Sequence, residues 1–270
     1  MLPITLSIAL YGAGWFAVWR RAWSGQSAPS PKARILIWLG LAAHLLGLYF
    51  YTVYPNGFNV SLFNALSLFF WTTNLIIALS NFKKPLHNLF LLTLPLTLLA
   101  LLIHLYTHDT NNLNLVHLSK GVAIHILLSV LAYSVLIVAT VQALLLAYQD
   151  NKIRNKHPGG LVRILPPLQT METLLFEVLQ VGHIMLTLVI VTGLFYIEDI
   201  AAQQLHHKIV FTVIAWIIYA ILLWGRYARG WRGTQAIRWT LAGFACLVLA
   251  YLGSKFVLEY LLNAPISPST

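Results

Sequence analysis

The sequence predicts an all-α membrane protein: a bundle of about eight transmembrane helices with both termini on the outer, periplasmic side. Three observations predict it. Only 9% of the 270 residues are charged and 59% are hydrophobic, whereas a soluble domain carries about a quarter charged residues. Apolar runs of about 20 residues, enough to span a bilayer, recur along the whole chain. The basic residues collect in alternate connectors, as they do in polytopic proteins.

The expected spans are roughly 2–19, 35–54, 61–80, 87–106, 119–148, 173–197, 206–225 and 235–262. The first begins MLPITLSIALYGAGW. It lacks the basic start of a secretory signal and its arginines follow the apolar stretch, so it reads as a retained helix. The connectors RRAWSGQSAPSPKAR, NFKKPLHN, YQDNKIRNKHPGGLVRILPPLQTMET and GRYARGWRGTQAIR hold most of the polar and helix-breaking residues. The fifth and eighth spans are long enough to project beyond the bilayer. No repeat or soluble domain interrupts the pattern, so residues 1–270 read as a single integral membrane domain.

Charge placement sets the orientation. Of the 17 Lys and Arg, 14 fall in alternate connectors. These are Arg20, Arg21, Lys32 and Arg34; Lys83 and Lys84; Lys152, Arg154, Lys156 and Arg163; and Arg226, Arg229, Arg232 and Arg238. The positive-inside rule assigns those connectors to the cytoplasm. The net charge of +10 then belongs to a surface facing anionic headgroups, and no nucleic-acid partner is needed. Trp15, Trp19, Trp23, Trp38, Trp71, Trp224 and Trp231 lie near expected helix ends, as an aromatic belt would.

The polar chemistry is histidine chemistry. The single cysteine, Cys246, excludes an intramolecular disulfide and a Cys-rich metal site. No carboxylate pair or nucleophile constellation points to an enzyme. His44 and His183 fall near mid-bilayer, and His125 sits in the apolar run VAIHILLSVLAY. An unpaired imidazole in hydrocarbon is costly, so each needs a partner or a task. His104, His108 and His117 read as loop or interface residues, and His206 and His207 as a solvated helix start.

Neutral imidazole is a good ligand for haem iron, and the flat apolar ring suits a pocket between helices. His44 lies roughly 15 Å below the outer end of its helix and His125 roughly 9 Å, at 1.5 Å per residue. Tilted helices would let both ligate one haem b from opposite faces. His183 is the reserve ligand. Lys255 could meet a propionate, or snorkel and pair with Glu259 one turn on.

Several segments resemble the cytochrome c assembly family, the CcmC/CcmF/CcsA group, and most of all its short YpjD/HemX-like branch. HILLSVLAYSVLIVATVQALLLAYQ from His125 resembles the family's outer-face histidine and small-residue helix. LPPLQTME from Leu165 resembles the short branch's linker, and VGHIMLTLVIVTGLFY from Val181 the helix before the external haem loop. The residues from Ile214 to Val257 resemble the last two helices, and NVSLFNALSLFFW from Asn59 the external asparagine-rich segment. The resemblance implies a multi-pass protein of the bacterial inner membrane that handles haem during cytochrome or haem-protein maturation. An apocytochrome or another membrane protein would be its partner.

The first external histidine carries over to His125. EDIAAQQLHHKIV lacks the tryptophans of the larger members' WWD loop, GSKFVLEYLLNAP lacks their second external histidine, and Trp224 replaces a later one. These departures imply a simpler pocket. The competing readings are a small-molecule permease and an accessory subunit that binds no haem. A permease would show paired Gly/Pro-broken spans, but only Pro95 and a few glycines interrupt these.

The orientation has a direct test. With a cysteine at Asn155, an impermeant thiol reagent should label only after the cells are opened. Labelling of intact cells would refute the assignment.

Overall fold

The computed structural model describes residues 2–26, 30–59, 61–107, 115–116, 119–156, 159–196 and 206–253. It contains eight α-helices among those residues: α1 (Leu2–Trp23), α2 (Pro31–Thr52), α3 (Leu62–Ser80), α4 (Phe90–Thr107), α5 (Lys120–Arg154), α6 (Leu168–Tyr196), α7 (His206–Arg229) and α8 (Gly233–Val248). Among the described residues, seven helical stretches are long and apolar enough to cross a membrane. The α8 helix has 16 residues and passes into a π-helical turn, Leu249–Gly253. The rest of the expected eighth span, from residue 254, lies outside the described residues.

Several boundaries differ from the expected spans, three of them for a visible local reason. The α2 helix starts at Pro31 because the Ser30 hydroxyl accepts the Ala33 N–H at 3.1 Å and Pro31 occupies the first helical position. Lys32 and Arg34 are therefore helical. The α6 helix starts at Leu168, where the Met171 N–H reaches the Pro167 carbonyl at 3.1 Å. The α5 helix continues to Arg154, which pairs with Asp150 one turn earlier at 2.8 Å.

The chain forms two compact units. The first comprises residues 1–113 and 148–171 and the second residues 114–147 and 172–270. In the first unit α1 packs along α2 and also on α4, and α3 packs on α2 and α4. Close approach of α1 and α2 depends on glycine. A Cβ at Gly40 would lie 2.7 Å from the Tyr11 ring, and one at Gly47 would lie 2.8 Å from Ile4. A small hairpin follows α2: β1 (Val53–Tyr54) pairs antiparallel with β2 (Gly57–Asn59). The Asn64 side chain closes it, donating to Asn59 O at 2.7 Å and to the Thr52 hydroxyl at 2.9 Å.

Pro95 lies inside α4. It has no N–H to donate, so the Leu91 carbonyl loses its intrahelical partner. The Trp15 indole on α1 donates to that carbonyl at 3.2 Å. Trp71 on α3 donates likewise to the Leu41 carbonyl on α2 at 2.9 Å. These two tryptophans, expected in the interfacial belt, instead tie helices together.

In the second unit α7 packs on α8. A Cβ at Gly243 would lie 2.7 Å from Tyr219, and one at Gly182 on α6 would lie 2.6 Å from Leu136 on α5. The α7–α8 turn is fixed by polar contacts. The Glu172 carboxylate accepts the Gly233 N–H at 2.7 Å, and the Arg226 guanidinium lies 4.6 Å from the Phe176 ring centre.

The α1–α2 contact yields a stability prediction. Gly40→Ala forces the Tyr11 ring aside and should cost about 1–3 kcal/mol. Gly12→Ala, with open space around it, should stay within about 0.5 kcal/mol of the parent. Unfolding in detergent distinguishes them, and equal stabilities would show that the close approach does not matter.

Candidate functional site

His125 stands in the second turn of α5, which starts after Ser119. The Ser119 hydroxyl accepts the Val122 N–H at 3.4 Å. The imidazole is half-buried, and its Nδ1 lies 3.0 Å from the Thr192 hydroxyl on α6. That hydroxyl has one proton, directed at the Leu188 carbonyl at 2.8 Å and the Val189 carbonyl at 3.1 Å. Thr192 Oγ1 is thus able to accept from Nδ1–H, and the ring also donates to the Val189 carbonyl beside it, which favours the same tautomer. The neutral ring then carries its lone pair on Nε2, the form that binds a metal. Among the described residues Nε2 has no side-chain hydrogen-bond partner. One turn on, Ser129 donates to the His125 carbonyl at 2.7 Å, which spends its polar group locally and leaves the interhelical surface apolar.

His44 is differently placed. It lies in the middle of α2 and is fully buried in the first unit. Its Nε2 lies 2.8 Å from the Ser67 hydroxyl on α3 and its Nδ1 lies 3.4 Å from the Tyr11 hydroxyl on α1. The Tyr11 ring meets the imidazole edge-on at 5.8 Å. Both nitrogens are engaged, so His44 joins three helices, and to ligate iron it would have to give up one bond.

His183 on α6 stacks on Trp216 of α7, with ring centres 5.2 Å apart. The Trp216 indole donates to the Thr187 hydroxyl at 2.8 Å, which in turn donates to the His183 carbonyl at 2.9 Å. His183 Nδ1 is buried with no hydrogen-bond partner among the described residues. Nine residues separate His183 from Thr192, about 13 Å along the helix, so His183 stands on a different level from His125. Lys255 lies outside the described residues, as do Glu259, His108 and His117. Nothing is described of the His206 and His207 side chains.

His104 departs from its expected loop or interface role. It belongs to α4 and is buried, its ring edge-on to Tyr51 at 5.3 Å. Sequence reasoning also passed over Tyr11, Ser67 and Thr192. Ser67 had a signal: Asn64, Ser67, Asn74 and Asn81 recur on one face of the apolar α3 run. Thr192 had none, because a lone threonine late in an apolar helix is unremarkable.

Among the described residues, no three His, Cys, Asp or Glu groups gather to hold a bare metal ion. Haem brings its own four nitrogens and asks the protein only for axial ligands. A tautomer-fixed imidazole at the edge of an apolar helix pair has the donor chemistry for one such ligand.

The fold and these residues define a multi-pass helical membrane protein with four imidazoles embedded in its described helices, those of His44, His104, His125 and His183. The chain belongs to the cytochrome c assembly protein family, whose model matches residues 33–262. The inner membrane protein YpjD of Escherichia coli K12 is 39% identical over 139 residues, 52% of each chain. An uncharacterised 28.8 kDa protein of Azospirillum brasilense is 32% identical over 142 residues, again 52% of each. The cytochrome c biogenesis protein CcsA of Prochlorococcus marinus MIT 9515 is 29% identical over 91 residues, 33% of this chain and 29% of that protein. The chain therefore matches only about half the length of the first two relatives. No solved structure matches it significantly. The family and its YpjD-like branch, read first from the segments around His125, Leu165 and Val181, are borne out.

The His44 geometry carries its own test. His44→Leu strands the Tyr11 and Ser67 hydroxyls inside the first unit and should cost about 1–3 kcal/mol. An unchanged melting curve in detergent would show that these bonds hold nothing together.

Proposed function

We propose that the protein is a multi-pass component of the bacterial inner membrane, with both termini outside, that binds haem b in support of cytochrome maturation. In this reading His125 is an axial ligand through Nε2. What supports it is the Thr192 hydroxyl, 3.0 Å from Nδ1 and 2.8 Å from the Leu188 carbonyl of its own helix, an arrangement that favours the His125 proton on Nδ1. Membership of the cytochrome c assembly family supports the haem reading. So does the name of the CcsA relatives, which are cytochrome c biogenesis proteins. An apocytochrome or a neighbouring assembly protein is the partner this reading implies.

His44 favours a second role. With both nitrogens bonded, it serves as an interhelical hub and not as the opposite axial ligand. A protein whose histidines were all used in this way would be an accessory subunit without haem.

Variant spectra separate the readings. His125→Ala should fold, lose or shift the haem spectrum, and regain part of it with imidazole in the medium. His183→Ala should leave the spectrum nearly unchanged, and His44→Leu should keep it at lower stability. An unaltered spectrum in His125→Ala removes the ligand role. Loss of the same bands in both the His44 and His125 variants would assign His44 the second axial position.

A further inference from the structure

A second site lies within the second unit, where α6 and α7 face each other at mid-span. His183 on α6 and Trp216 on α7 stack with their ring planes 26° apart. The pair is locked in place, because the Trp216 indole bonds to the Thr187 hydroxyl, which bonds back to the His183 carbonyl. His183 stands about 20 Å from the nearer end of its helix and Trp216 about 15 Å from the nearer end of its own. In a hydrocarbon layer about 30 Å thick, the pair lies near the middle.

A neutral imidazole carries one N–H, and hydrocarbon offers no acceptor for it. His183 Nδ1 is sealed inside the protein, so nothing from outside can meet it. Nε2 also has no hydrogen-bond partner among the described residues, but it reaches the protein surface. A ligand that took the Nε2 lone pair would leave Nδ1–H buried without an acceptor. The arrangement that satisfies the ring puts the proton on Nε2 and draws an acceptor from outside the chain. His183 is thus the converse of His125, where Thr192 favours the proton on Nδ1.

Depth and shape narrow the acceptor. The ester carbonyls of bilayer lipids lie at the edge of the hydrocarbon, about 15 Å away, and water does not enter it. The donor is also recessed: Ile184 and Ile217, the next residues on the two helices, are exposed, whereas His183 and Trp216 are half-buried. The exposed residues around it, Val181, Ile184, Leu188, Ile214 and Ile217, are bulky, and membrane helices approach closely over small residues. A partner helix therefore fits this recess poorly. A flat apolar ring with carbonyl groups on its edge fits it well.

We propose that the recess binds the head group of a lipid-soluble quinone, one ring carbonyl accepting from His183 Nε2–H and the apolar tail running along the exposed aliphatic residues. The site takes nothing from His125 and is independent of the haem reading.

Native mass spectrometry of the full-length protein in detergent tests the proposal. The probes are decylubiquinone and decylbenzene, which has the tail and a flat ring but no carbonyl. The wild type should retain decylubiquinone well above decylbenzene. His183→Phe keeps a ring against Trp216 but loses the N–H, and should weaken decylubiquinone binding about three- to thirty-fold, the worth of one hydrogen bond in a membrane. His183→Gln restores a donor and should recover part of it. The wild-type preference for the carbonyl-bearing probe stands as a readout even if His183→Phe fails to fold. Three results would overturn the proposal: equal retention of the two probes, undiminished decylubiquinone binding in His183→Phe, or a His183-dependent dimer that excludes the quinone, which would give the N–H to a second copy of the chain.

Discussion

Hydrocarbon offers no hydrogen-bonding partner, so a polar group within a span is costly unless the protein itself supplies one. Much of the architecture follows from this constraint. Pro95 frees the Leu91 carbonyl in α4, and the Trp15 indole fills it from α1. His44 is satisfied from two neighbouring helices at once, through Tyr11 and Ser67. Asn74 donates to the Thr97 hydroxyl, whose own proton goes to the Thr93 carbonyl. Each bond is worth only about 0.6–2 kcal/mol between membrane helices. Their placement between different helices nevertheless fixes which faces meet.

The same constraint distinguishes the histidines. His44 is consumed by its surroundings. His183 is held flat against Trp216. His125 alone of the three combines an oriented Nδ1 with an Nε2 that no side chain takes. Orientation by a second polar group is what makes an imidazole a competent ligand. Close packing supports the arrangement, since glycines at 40 and 182 let large side chains lie where a methyl group would collide.

The helices were legible in the sequence because hydrophobic run length is a strong signal. Their ends were less so: the Ser30–Pro31 cap and the Pro167 start depend on local geometry that hydropathy ignores. The family was legible from the segments after His125, Leu165 and Val181. His125 could be singled out as an apolar-run histidine, but its tautomer could not, because that depends on Thr192, 67 residues away. The engagement of His44 was equally hidden, since Tyr11 and Ser67 lie 33 and 23 residues off. Trp15 and Trp71 misled for a related reason. Position along a helix suggests an interface, whereas their indoles answer carbonyls on neighbouring helices.

We propose that a protein stapled together by interhelical polar contacts keeps one imidazole, that of His125, ready for iron. The absorbance spectrum of the purified wild-type protein, reduced with dithionite, tests it most directly. A Soret band with resolved α and β bands is expected. A featureless visible spectrum from protein purified with haem supplied would contradict it.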